Sequence, residues 1–242
     1  MSRVEEYRAL LRQLDTDHWH AFLTERSGLP GPRGNIELGQ AAAEEADPST
    51  IDALIATNDE FLVFCGVIGL GRILAEGGHN DLGSVRERLR AHAGDERWRV
   101  REAVAMAVQR LGDEDPLRMV ELVNDWVGDP NALVQRAAIA GICEPRLLRT
   151  PTVAQAAIET VDRVTASLAA RAPGGRRDPS VRSLRQALGY CWSVAVAADP
   201  ERGLPRFLAL SASSDPDVRW VVRENGRKAR LAKLLGATSQ GC

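Results

Sequence analysis

The sequence predicts an all-α fold, a right-handed α-α superhelix (a solenoid) of about five helix pairs with an N-terminal helical cap. Three observations predict it. Ala, Leu, Val and Arg dominate the 242 residues, whereas Phe and Tyr together number six, a balance that suits helices over sheets. A pattern of acidic turn, apolar anchor, frequent Arg and small residues at helical spacing recurs at intervals of 34 to 50 residues, the mark of a repeat architecture. Asp-Pro or Asp-Glu stands at the start of most copies, at residues 59–60, 95–96, 129–130, 178–179 and 215–216; Asp caps exposed N–H groups, and Pro in the first helical position sacrifices no intrahelical bond.

Residues 1–58 read as a cap covering the open end of the stack, as terminal repeats must, with helices at about 2–14, 17–26, 36–46 and 49–57. The stretch Leu29-Pro30-Gly31-Pro32-Arg33-Gly34 is a rigid loop, Asn35 the N-cap of the helix after it, and Arg33 a solvent-facing side chain. Residues 59–231 form the repeat region and 232–242 a flexible tail. The apolar run Phe61–Leu74 predicts a buried helix in which Gly66, Gly69 and Gly71 allow close packing; its GVIGLG has the wrong glycine order, and no preceding strand, for a phosphate loop.

The clearest repeat is DERWRVREAVAMAVQRLGD, residues 95–113. Val100, Ala103, Val104, Ala107, Val108 and Leu111 share one face, and Gly112 is placed to end the helix. With Val100 as anchor, equivalents fall at Leu62, Val134, Leu184 (or Val181, nearly one turn away) and Val218. Second amphipathic segments at about 82–93, 115–127, 151–170 and 200–212 complete the pairs. The wider 50-residue interval contains RAPGGRRDP, read as a surface insertion, with an anion clamp built on Arg176 and Arg177 as the alternative.

VREAVAMAVQRLGD resembles the second helix of a HEAT or bacterial HEAT-like repeat, and DPDVRWVVRENGRKARL its carboxy-terminal counterpart, over residues 59–231. SGLPGPRGNIEL resembles a segment of uncharacterised actinobacterial HEAT-repeat proteins, in keeping with 29 Arg against 2 Lys. The WxxR fragment Trp98/Arg101 and the basic last helix are similar to the bacterial alkylpurine DNA glycosylases built from HEAT-like repeats. That resemblance implies aromatics and an acid around a damaged base, but the full set of two aromatics and an Asp is not found, so no catalytic residue carries over.

No apolar run reaches the ~18–20 residues of a membrane span, and Met1–Leu14 is not signal-like, so a cytoplasmic protein is expected. Cys65, Cys143, Cys191 and Cys242 are scattered singly, which fits a reducing compartment; the first three read as small core residues and Cys242 as a loose end. His18 and His20 point apart on a helix, and His79 and His92 stand alone, so no metal site is expected, and no cofactor. There is no GxSxG elbow or P-loop, and enzymatic activity is left open.

Charge is uneven: residues 1–145 carry 15 basic and 25 acidic side chains, residues 146–242 carry 16 and 8, a net −10 against +8. Arg101, Arg136, Arg185, Arg219, Arg223 and Arg227 fall on the anchor-bearing helices, which the HEAT resemblance places on a concave face; with Trp98 and Trp220 they form the candidate binding set for a partner or nucleic acid. Arg101 with Asp95 and Arg219 with Asp215 also read as internal staples. Trp19, Trp126 and Trp192 read as packing residues. The leading expectation is a nonenzymatic scaffold binding a macromolecular partner, a protein before a nucleic acid, with no membrane. The alternative is DNA or RNA binding or action on an alkylated base. A chromophore-lyase or small-ligand role is a third class that no residue selects.

Overall fold

The computed structural model describes residues 1–77 and 82–239, the last three by backbone alone; His79 and Cys242 lie outside the described residues. Among these the chain is helical throughout and contains no strand. It divides into two compact units, Met1–Glu114 and the chain from Asp115 onward.

The first unit holds α1 (Arg3–Leu11), α2 (Trp19–Glu25), α3 (Ile36–Glu45), α4 (Pro48–Ile55), α5 (Glu60–Glu76), α6 (Leu82–Ala93) and α7 (Trp98–Glu114). Helix α5 is its centre, packed by α2, α3, α4, α6 and α7. It can be surrounded because nearly every residue from Phe61 to Leu74 is apolar or glycine, and all but Arg72 are buried. The three glycines serve as close-packing sites. A Cβ on Gly66 would meet Ile55 and the Ile51 carbonyl of α4, and one on Gly69 would meet Ile51. One on Gly71 would lie 2.4 Å from the Ala107 carbonyl oxygen of α7. Helices α5 and α7 run parallel, Glu60 lying beside Arg99 at their starts and Gly71 against Ala107 further along. Arg8 of α1 and Arg12 just beyond its end grip Glu45 of α3, which fastens the first helix.

The second unit holds α8 (Pro116–Val127), α9 (Ala132–Ile142), α10 (Pro151–Ala169), α11 (Pro179–Ala198), α12 (Pro200–Ala209), α13 (Pro216–Gly226) and α14 (Ala229–Ser239). Here α11 is central, packed by α9, α10, α12, α13 and α14. Trp192 of α11 is fully buried, stacks obliquely on Phe207 of α12 and donates its indole N–H to Thr165 of α10 at 2.9 Å; a buried indole needs that acceptor. Helix α14 occupies residues 232–239, which the sequence assigned to a tail.

The helix pairs match the expected segments. All five anchors, Leu62, Val100, Val134, Leu184 and Val218, are buried, as are Trp19, Trp126 and Trp192, and Cys65, Cys143 and Cys191. Asn35 caps α3 through Leu38, and Asp59, Asp178 and Asp215 cap α5, α11 and α13. Three local expectations need correction. Gly112 does not end α7, which continues to Glu114 with Gly112 buried inside it. The cap of α9 is Asn131 rather than Asp129, whose carboxylate instead takes the Asn131 N–H. Asp95 does not cap α7, because its carboxylate is engaged by the backbone N–H and guanidinium of Arg97.

Candidate nucleic-acid or partner interface

In the second unit α11 and α13 run parallel, and their contact is polar at both ends. Near the start, Asp217 is 6% exposed and receives Arg185 at 2.7 Å and Arg176 at 3.2 Å. Arg176 also reaches Asp215 at 2.6 Å and the Ala169 carbonyl. Burial pushes the Asp215 carboxyl up, but Arg176 and the N–H groups of Val218 and Asp217 outweigh it and hold the carboxyl below its ordinary value. Near the far end the fully buried Asn225 accepts the Ser193 N–H and donates to the Leu188 and Val221 carbonyls, each at 2.8 Å.

Between these polar ties lies Trp220. Its ring packs onto α11 at Gly189, where a Cβ would come within 2.8 Å of it, and the Arg185 guanidinium sits over the same ring at 4.8 Å. Next to Gly189, Tyr190 is 42% exposed, with Arg230 of α14 over its ring at 5.2 Å and bonded to its hydroxyl at 3.1 Å. Guanidiniums over aromatic faces are favoured electrostatically and fix both partners. Arg219 and Arg223 stand one turn apart on the outer side of α13. Both are exposed, and neither side chain makes a hydrogen bond or ion pair among the described residues. Arg182 of α11 is in the same condition.

The candidate arginines therefore separate. Arg185, Arg219, Trp220, Arg223 and Arg227 share the α11–α13 face, but Arg227 is paired with Glu224 at 2.7 Å. Arg219 does not staple Asp215, because Arg176 holds that carboxylate. Arg136 is half-buried on α9. Arg101 belongs to the first unit and bonds the carbonyls of Asp95 and Glu96 at 2.5 and 2.8 Å, not the Asp95 carboxylate, which Arg97 occupies. Trp98, also in the first unit, is 49% exposed and has Arg99 over its ring at 4.6 Å. The insertion is a short 3-10 turn, Pro173–Arg177, and Arg176 is spent on internal carboxylates, which removes it from the anion-clamp alternative.

Sequence reasoning missed Gly189, Asn225 and Tyr190, and with Tyr190 the stacking role of Arg230. Asn225 had a signal: it continues the apolar spacing of Val218 and Val221, where a polar residue demands partners. Among the described residues no group of His, Cys, Asp and Glu could hold a metal ion, and no helix is long and apolar enough to cross a membrane.

No family model matches the chain, and no curated protein matches it. Among solved structures it is similar to AlkD2 from Streptococcus mutans, with a TM-score of 0.66 at 14% identity, covering 88% of this chain and 98% of that one. At that identity the likeness shows the fold alone, which is the helical-repeat architecture expected from the sequence. Two engineered proteins of the Northeast Structural Genomics Consortium match at TM-scores of 0.37 and 0.39, with 16% and 14% identity. They cover 98% and 93% of this chain and 98% and 97% of theirs.

Proposed function

We propose that the protein is a HEAT-like-repeat binding module whose α11–α13–α14 face takes the phosphate backbone of a nucleic acid. The observation that carries this is the pair Arg219 and Arg223, held out from α13 without a carboxylate partner among the described residues. The Arg185–Trp220 stack joins the same helix to α11, and the Arg230–Tyr190 stack joins α14 to α11. Such guanidiniums bind by releasing the counterions of phosphates, and the fixed stacks limit the entropy lost on binding. The fold shared with AlkD2 and the sequence resemblance to HEAT-like-repeat DNA glycosylases support the reading at the level of architecture; they assign no catalytic group.

The test is fluorescence anisotropy with single-stranded and duplex DNA across a salt series. Among the described residues Arg182, Arg219, Arg223 and Arg230 of these helices have no carboxylate partner, so four contacts should give a log–log salt slope of about −3.6 on duplex DNA. Arg219→Glu/Arg223→Glu should weaken binding and make the slope shallower by about 1.8. A flat salt response, or an unchanged slope in the folded double variant, would refute the proposal. A second reading, a protein partner, is favoured by the acidic first unit, which carries 20 acidic and 13 basic residues over 1–114. It predicts retention of a basic partner even where DNA is not bound.

A further inference from the structure

The first unit contains a cleft of about 500 Å³ between the 27–34 loop and the starts of α5 and α7, lined by Thr24, Pro30, Pro32, Asp59, Glu60 and Trp98, with Phe61 and Arg99 at its back. None of the residues named under the proposed function lines it. The loop that forms one wall is set rigidly. Gly28 adopts φ +75°, a conformation L side chains avoid, and a Cβ there would strike the Arg33 carbonyl. The Asn35 N–H closes the loop onto the Ser27 carbonyl at 2.8 Å. Arg99, 9% exposed, ties the loop to α7 by donating to the Pro32 carbonyl at 2.8 Å.

The charge inside this cleft is unbalanced. Arg99 is committed to Glu102 and Pro32, and Arg97 to Asp95, with Asn58 offering a longer carbonyl contact. Asp59 is used through Oδ1, which accepts the Phe61 and Leu62 N–H groups at 2.8 and 2.9 Å. Glu60 accepts the Arg99 N–H through Oε1 at 3.4 Å. Neither carboxylate forms an ion pair among the described residues, although Arg97 acts on both electrostatically, and each keeps one oxygen without a donor among them. Beside them stands an indole half open to solvent and held from turning by Arg99. A π face next to two carboxylates with free acceptors, walled by proline rings, has the chemistry of a receptor for an organic cation that carries hydrogen-bond donors.

We infer that the Trp98 cleft binds the guanidinium of an arginine side chain from a peptide partner, stacked on the indole and forked onto Glu60 and Asp59. A guanidinium fits better than an ammonium because it is planar, matches the ring, and offers paired donors to a carboxylate. A fully methylated ammonium would leave both carboxylate oxygens without a donor. The inference is independent of the nucleic-acid reading, since its residues lie in the other unit.

The experiment is a titration of the full-length protein, followed by the Trp98 indole N–H signal, which Trp98→Phe identifies by its disappearance. The probes are acetyl-Gly-Arg-Gly-amide, the same tripeptide with neutral citrulline, the trimethyllysine tripeptide, and the cationic nucleoside 7-methylguanosine. The arginine tripeptide should saturate the shift at millimolar concentration while the citrulline peptide should not. Glu60→Gln, which keeps the acceptor for the Arg99 N–H, should weaken binding about tenfold, and Trp98→Ala, read by calorimetry, by a similar factor. Both are half-exposed or exposed side chains, and circular dichroism checks the fold of each variant. No shift with the arginine peptide, equal binding of citrulline, preference for trimethyllysine or 7-methylguanosine, or unchanged affinity in either folded variant would each overturn the assignment.

Discussion

Replacing Asn225 by Ala should cost about 3 kcal/mol, although the residue touches no solvent. Its side chain is fully buried and makes three 2.8 Å hydrogen bonds, two of them to α11. Truncation removes three buried hydrogen bonds, each a net contribution of about 1 kcal/mol, and leaves a small void. For a chain of this length each kcal/mol lowers the melting midpoint by about 2–4 °C, so a fall of about 9 °C is expected in a thermal melt followed by circular dichroism. Asn225→Asp should be worse at pH 7, since a carboxylate oxygen would face two carbonyls, and should recover on acidification as the buried carboxyl takes up a proton. Because Asn225 sets α13 on α11, Asn225→Ala should also weaken oligonucleotide binding with every surface arginine intact. A loss below about 1 kcal/mol would show that the α11–α13 register is not held by this side chain, and the reasoning would fail.

Gly71→Ala would place a Cβ 2.4 and 2.5 Å from the Ala107 carbonyl oxygen and Cα, backbone atoms that move only with α7. Overpacking of about 2–3 kcal/mol should outweigh a helix-propensity gain of about 1 kcal/mol, so urea unfolding should shift to lower denaturant, whereas Gly128→Ala, with open space around it, should not be destabilised. The Asp215 carboxyl is held below its ordinary value in the folded protein. Its stabilisation is therefore complete above the unfolded value near 3.9 and is lost as pH falls through the lower folded value; Asp215→Asn should flatten that part of the stability–pH curve. Burial, with Asp59 nearby, pushes the Cys65 thiol up, and Cys191 together with burial raises Cys143. In a Cys242→Ser background the native protein should thus react with a thiol reagent at pH 7 only after urea is added.

The repeat was legible because its signals are local. Anchor and small residues at 3.6 spacing define the buried stripe within one helix, so all five anchors and the segments between them fall where the sequence put them. The glycines of α5 were legible for the same reason: nothing else explains three of them in an apolar helix. The proposed binding face was legible only in part: Arg185, Arg219, Trp220 and Arg223 were among the candidates, but a guanidinium's availability depends on which carboxylate reaches it. Arg176 crosses 41 residues to Asp217, and Arg230 crosses 40 to Tyr190. Helix ends were uncertain where two capping residues compete, as Asp129 and Asn131 do before α9.

Arg101 and Arg219 occupy the same position in the repeat, directly after the anchors Val100 and Val218, yet one is folded back onto its own turn and the other stands in solvent. In both repeats the turn carboxylate is already engaged, Asp95 by Arg97 and Asp215 by Arg176 of the insertion that lengthens one repeat. Arg176 on that insertion takes the Asp215 carboxylate at 2.6 Å and shares Asp217 with Arg185, so the acid nearest Arg219 in the repeat is already neutralised. The insertion thus acts on Arg219 without touching a ligand: it keeps the Asp215 carboxylate from drawing that side chain in. Arg176→Ala should leave Asp215 without its cation and let it draw in Arg219, one turn along the same helix. The salt slope of oligonucleotide binding should then become shallower by about 0.9, one phosphate contact, although the residue removed is itself engaged internally. Arg176→Ala/Asp215→Asn should restore the slope, since the carboxylate that remains at that turn, Asp217, is still held by Arg185. If the single variant keeps the wild-type slope while remaining folded, Arg219 owes its exposure to something other than the insertion.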